Sequence, residues 1–210
     1  MHRDAAFWDQ IAEKYARDPI KDMASYEYTL ERTRSYLTSH CSMLEVGCGT
    51  GSTALQLASS TGKIVGTDVS SAMISIARAK LNAPDAPRNV SFEIAPLSAE
   101  TLPTGSFDAV TAFNILHLVR DLDQALAAIA DRVRPGGLFI SKTVCLADSP
   151  FLLLKPVFGL MKLMGKAPHV LFLSQKTLQE QIRSHGFHIL EAGNFPKKPP
   201  RNFVVARRMD

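Results

Sequence analysis

Residues 43–58 read MLEVGCGTGSTALQLA. Glu45, Gly47, Cys48, Gly49 and Gly51 stand where an apolar run gives way to a helical pattern. Glycines at a strand-to-helix turn remove side chains so that a ligand can approach the backbone. The following helix offers unpaired N–H groups and the positive end of its dipole. The turn therefore suits a carboxylate, a phosphate or a polar nucleotide tail. Asp68 ends the next apolar run, 21 residues past Gly47, the spacing at which an acid accepts hydrogen bonds from both hydroxyls of a ribose. Alone it would read as a helix cap, a task Ser70 can also perform.

The glycine spacing departs from G-x-G-x-x-G because position 52 is Ser52, and no G-x-x-x-x-G-K-[ST] run occurs. A nicotinamide cofactor and a P-loop are both disfavoured. The three cysteines, Cys41, Cys48 and Cys145, form no C-x-x-C pair, which argues against a zinc site and a disulfide framework and fits a reducing compartment.

The elements that position these residues alternate. MLEVG, KIVGTD, NVSFEIA, FDAVTAFNIL and GLFISKTV read as strands; STALQLAS, SAMISIARAKL and LDQALAAIADRV read as helices, with RPGG as a stop and turn. Strands separated by helices need crossovers, so a mostly parallel, doubly wound α/β sheet with helices on both faces is expected. Ahead of it, residues 4–17 and about 24–37 carry helical spacing; after it, SQKTLQEQIRSHGF reads as a capped helix and HILEAGNF and NFVVAR as two closing strands.

The 210 residues, 46% hydrophobic and 21% charged, suit a single domain over 1–210. It divides into a helical cap (1–40), a core (41–145), an apolar insertion or lid (146–173) and a closing helix with strands (174–210). The net charge of +4 accumulates late in the chain, yet no Arg-rich run or aromatic-basic interleaving points to nucleic acid. The charged start and the lack of about 18 uninterrupted apolar residues predict a cytoplasmic protein.

The order of motifs resembles the class I S-adenosylmethionine-dependent methyltransferases. LEVGCGTG is similar to the family's glycine motif, VGTDVSSAMISIAR to its second motif, LPTGSFDAVTAFNILHLVRD to its fourth-strand region and RVRPGGLFI to the entry of its fifth strand. The resemblance covers roughly Phe7 to Arg207. It implies a Rossmann-like, seven-stranded sheet and S-adenosyl-L-methionine as cofactor. The zwitterionic tail would lie on the turn with Glu45, Gly47, Cys48, Gly49 and Gly51, the ribose on Asp68, and adenine beside Val69, Met73, Leu97, Ser98 and Ala99. Met73 reads equally as a core residue. Ser98 stands where an acid is common in the family, and the Ala99 N–H is expected to share the reading of adenine.

The same resemblance puts Asn114 near the amino acid portion of the cofactor, His117 close to the transferred methyl group and Tyr15 over the amino acid end, and His117 and Tyr15 are the catalytic candidates to take a proton from a hydroxyl or ammonium acceptor. Asn114 also fits a loop or cap residue, and His117, in the apolar run ILHLV, fits an orienting role as well as that of proton acceptor. No metal is required, because the sulfonium methyl is already activated and the leaving thioether is neutral.

Residues 151–166 place Lys155, Lys162 and Lys166 on one face of an otherwise apolar segment. A lid over an apolar or lipid-like small-molecule acceptor, a helix in a membrane interface and a buried cap all fit. Two other readings stand beside the enzyme: a binding protein that holds S-adenosylmethionine or S-adenosylhomocysteine without turnover, and a nicotinamide-dependent oxidoreductase.

Overall fold

A computed structural model describes residues 2–150, 152, 168–196 and 200–210. The chain opens with helices α1 (His2–Arg17) and α2 (Met23–Arg34). It then alternates β1 (Ser42–Val46), α3 (Ser52–Leu57), β2 (Lys63–Asp68), α4 (Ser71–Lys80), β3 (Val90–Ile94), β4 (Phe107–Phe113), α5 (Leu122–Arg132) and β5 (Val133–Val144). It closes with α6 (Gln175–Ser184), β6 (Phe187–Asn194) and β7 (Arg201–Arg208). The sheet runs β3-β2-β1-β4-β5-β7-β6. The β1–β5 strands pair in parallel, and β7 is antiparallel to both β5 and β6. This is the expected doubly wound sheet, with one antiparallel strand, β7, inserted between β5 and the edge strand β6.

Burial explains the sequence rhythm. Met43, Leu44, Glu45 and Val46 are all buried, so β1 is covered on both faces and reads as a continuous run rather than an alternation. One core cluster gathers α5, α6 and one face of the central strands around Leu126, Ile129, Phe139 and Leu178. A second gathers α3, α4 and the other face around Met43, Leu57, Ile64 and Ile74.

Three boundaries differ from expectation. The predicted strand 107–116 stops at Phe113 because Asn114 takes φ +57°, a left-handed conformation that ends the ladder. Asn114 and His117 therefore lie beyond the strand rather than on its end. The RPGG segment is not a free turn: β5 begins at Val133, paired with Phe107, and a register shift precedes Ala109–Leu138, with Gly136 at φ +71° inside the irregularity. The second helix ends at Arg34, three residues early.

The expected helical lid at 150–173 falls mostly outside the described residues. What is described of it docks on the core: Leu171 N–H donates to His117 O (2.7 Å), Ala147 N–H donates to Leu173 O (3.0 Å), and Leu173 is buried. Among the described residues no helix is long and apolar enough to cross a membrane.

Candidate functional site

The glycine turn follows β1 at the carboxyl end of the parallel strands, where ligands bind in open α/β sheets. Its three glycines have φ of +68°, +54° and +76° at 47, 49 and 51, but they serve different ends. A Cβ on Gly47 would lie 2.7 Å from Ile115 Cγ1, and one on Gly51 would lie 2.4 Å from Phe92 Cζ. Those two glycines are demanded by packing. At Gly49 the nearest atom would be Tyr15 Cε1 at 3.8 Å, so this is where the backbone is open to approach.

The turn is fixed from both sides. Asp68 Oδ2 accepts from the Gly49 N–H at 2.9 Å and Oδ1 accepts from the Ser70 N–H at 2.9 Å. Burial raises the Asp68 carboxyl and the backbone donors pull it down, burial being the larger effect. A carboxylate has about four acceptor sites, so roughly two remain for hydroxyls. From the other side Lys80 Nζ donates to Thr50 O at 2.7 Å and to Ser52 Oγ at 3.0 Å. The Cys48 N–H donates to Thr67 O at 2.9 Å, tying the turn to β2. Burial drives the Cys48 thiol far upward, so it stays protonated.

Beneath the turn Glu45 is 2% exposed, and its Oε2 has no hydrogen-bond partner among the described residues. Burial first, then the Asp68 charge, push it up to about 8. A buried, half-satisfied carboxyl beside a second carboxylate is a site that favours a positive ligand.

Helix α1 covers this region by a specific cap. Asp9 Oδ1 accepts from Ser70 Oγ (2.6 Å) and from the Ala72 N–H (3.0 Å) at the start of α4. Ser70 Oγ in turn accepts from the Met73 N–H at 3.1 Å. Ser70 is thus the helix cap, which leaves Asp68 to the glycine turn. Met73 is almost fully buried. Tyr15, near the end of α1, is half exposed over Gly49. Desolvation, then the charges of Asp68 and Glu45, raise its phenol.

In the loop after β3, Thr101 Oγ1 donates to Pro96 O (2.7 Å), so in its 2.7 Å contact with Ser98 Oγ the serine is the donor. The Ser98 oxygen is left with lone pairs, an acceptor like the acid it replaces. Arg132 Nη2 donates to Ala99 O, steadying the loop. Val69 and Leu97 are half-buried beside it, Leu97 packing on the core.

Across the cleft, Asn114 N–H donates to Lys142 O at 2.7 Å. His117 is depressed to about 4 by burial and then by Arg201, and its Nδ1 has no partner among the described residues. It is neutral near pH 7. Sequence reasoning missed four residues here: Lys80, Tyr26, Lys142 and Arg201. Lys80 falls nine residues into α4, where helical spacing gives no hint of the turn it reaches. Lys142 lies in GLFISKTV as an ordinary strand residue, and its burial comes from α2.

A doubly wound sheet with a glycine turn, a strand-end acid and a helical cover defines a nucleotide-cofactor-binding protein. Residues 44–139 match the family described as a methyltransferase domain. The methyltransferase nsrG of Aspergillus novofumigatus is 31% identical over 139 residues, 65% of this chain and 51% of that protein. The chain thus spans about half the length of that relative. Demethylmenaquinone methyltransferase of Leptospira interrogans is 25% identical over 215 residues, 90% of this chain and 86% of that protein. The solved DhpI–SAH complex shares the fold, with a TM-score of 0.75 at 20% identity over 99% of this chain and 96% of that one. Over residues 44–139 the chain thus matches a methyltransferase domain, and its sheet has the fold of the class I S-adenosylmethionine-dependent methyltransferases.

Proposed function

We propose that the protein transfers a methyl group from S-adenosyl-L-methionine to a small, apolar or lipid-like acceptor, and that the residues above divide into a donor side and an acceptor side. The observation that carries the donor side is the buried Glu45 carboxyl, whose Oε2 has no partner among the described residues, near the end of the strand that leads into the glycine turn. The bound cofactor supplies a methyl group already activated on a positive sulfur. Glu45 and Asp68 favour that charge; Asp68 keeps acceptor capacity for ribose hydroxyls; Ser98 presents lone pairs to the adenine amine; Val69, Met73 and Leu97 supply apolar surface.

Catalysis then needs alignment and dryness, since well-oriented pairs reach effective molarities of about 10⁵ M or more. Tyr15 closes the donor side from α1. Asn114, held in a left-handed conformation, sits at the junction of the two sides; such strain concentrates where a site over-determines the backbone. His117, neutral because of its burial, accepts a hydrogen bond from the acceptor and orients it. With so low a pKa it is a weak base near pH 7, which favours orientation over full proton abstraction.

The acceptor class rests on the apolar run at 151–164 and on the quinone-type substrate in the name of the Leptospira relative. Calorimetric titration with S-adenosylmethionine, S-adenosylhomocysteine and NADH, in wild type and Asp68→Ala, tests the donor side. Micromolar adenosyl binding lost in the variant is expected; binding of NADH alone would overturn the reading.

A further inference from the structure

A cavity of about 280 Å³ opens between the start of α2 and the carboxyl ends of β4 and β5, with Asn114 on its wall. It is lined by cations that the donor side does not use. Lys142 on β5 is 3% exposed, yet its ammonium donates to Ser25 O (2.8 Å), Ser25 Oγ (2.6 Å) and Thr29 Oγ1 (2.7 Å). Both hydroxyls are free to accept, because Ser25 Oγ donates to Phe195 O and Thr29 Oγ1 donates to Ser25 O. All three N–H groups of Lys142 are thus satisfied by neutral oxygens, and its charge is balanced by none of them.

Arg201, the first residue of β7, lines the same cavity, and its Nε is buried without a partner among the described residues. Burial first, and then the Arg201 charge, lower both Lys142, to about 8, and His117. Lys21 adds a third positive group, and Tyr26 adds a hydroxyl that is buried and unpartnered among the described residues. The one carboxylate in the lining is Asp22, whose Oδ1 already caps α2 by accepting from the Ser25 N–H. Three cations face one occupied carboxylate, with Lys142 buried, Arg201 half-buried and Lys21 exposed, an arrangement unfavourable in an empty pocket and favourable around an anion.

We infer that this cavity is the subsite for a carboxylate carried by the methyl acceptor. Arg201 and Tyr26 donate to the carboxylate oxygens, and Lys142 supplies charge from behind. Asn114 lines this subsite at the end of β4, so the acidic end is anchored at β5 and β7 while the nucleophilic atom faces the donor. The acceptor is then an amphiphile, with an acid at one end and an apolar body.

This inference rests on the methyl-transfer reading for the identity of its ligand, but not for the binding itself. The test titrates the full chain, with and without saturating S-adenosylhomocysteine, with benzoate and hexanoate and with their neutral partners benzamide and hexanamide. Each acid is expected to bind about tenfold or more tighter than its amide, the preference being lost in Lys142→Met and in Arg201→Gln and partly kept in Arg201→Lys. Both variants should retain S-adenosylhomocysteine binding, which shows the fold intact even if one of them expresses poorly. Acids that bind no better than amides, or a preference that survives both variants, would overturn the subsite. Failure of S-adenosylhomocysteine to bind wild type, with the acid preference present, would instead overturn the donor reading alone.

Discussion

The Asp68 carboxylate is bonded to the Gly49 backbone N–H at 2.9 Å, so the acid that ends β2 holds in place the one turn glycine at which a Cβ would meet no clash, only Tyr15 at 3.8 Å. One side chain thereby sets the shape of the turn and remains available to a ligand.

Asp68→Ala is expected to remove both the Gly49 and the Ser70 bonds, lowering stability by about 1–3 kcal/mol and abolishing measurable adenosyl binding. Asp68→Asn keeps one acceptor oxygen and should fall between. Denaturant midpoints and calorimetry on the same preparations separate the two losses.

The three turn glycines should respond unequally to alanine. Gly51→Ala forces a Cβ into Phe92 at a positive φ, which should destabilise the fold by about 3 kcal/mol or more. Gly49→Ala has space and should cost about 1 kcal/mol from its backbone conformation alone, yet weaken cofactor binding far more than its effect on melting implies. Equal ratios of the two effects in both variants would contradict this division.

Glu45 gives a pH signature. Its folded value of about 8 lies above the ordinary 4.5, so between those values the folded chain binds more protons than the unfolded chain and stability falls as pH rises. Ligand-free protein should melt higher near pH 5 than near pH 8, and Glu45→Gln should flatten that slope. Binding of the positive sulfonium donor favours the ionised form, so near pH 7 it releases a proton and its affinity rises with pH up to about 8. Calorimetry in buffers of different ionisation heat reads the proton directly. The neutral thioether product should release less.

His117 titrates near 4, so the wild-type rate should show no inflection from it between about pH 6 and pH 8. His117→Ala is expected to lower turnover about tenfold to a hundredfold through orientation, at every pH in that range. Turnover unchanged throughout would remove His117 from the site.

Asp9→Ala should cost about 1 kcal/mol by removing the acceptor of the Ala72 N–H in the first turn of α4, at the lower end for so exposed a group. It should also speed hydrogen exchange in α1, because the bonds to Ser70 and Ala72 tether that helix. Protection in α1 that matches wild type would show the tether to be unimportant.

Much of the donor side was legible in the sequence, because the alternation of elements and the punctuation by glycine are local signals. Lys63–Asp68 and Ser71–Lys80 follow their apolar patterns closely. Asn114 was read as strand because apolar residues continue through Ile115 and Leu116; only its positive φ ends the ladder. The acceptor side was hidden for a physical reason. Ile140, Ser141, Lys142 and Thr143 are all buried, so β5 has no solvent face and no period to single out its lysine. Arg201 reaches the cavity through the pairing of β7 with β5, a choice of neighbour made across the sheet rather than along the chain.

The antiparallel course of β7 has a wider consequence. A parallel strand offers its carboxyl end to the ligand face, whereas β7 arrives there with its first residue, Arg201. The half of the sheet built from β1 and β2 can therefore keep its grip on a constant methyl donor while the closing segment, near the end of the chain, diverges freely. On the subsite inferred above, substrate range is a property that sequence change can rewrite at Arg201 with the donor chemistry left intact.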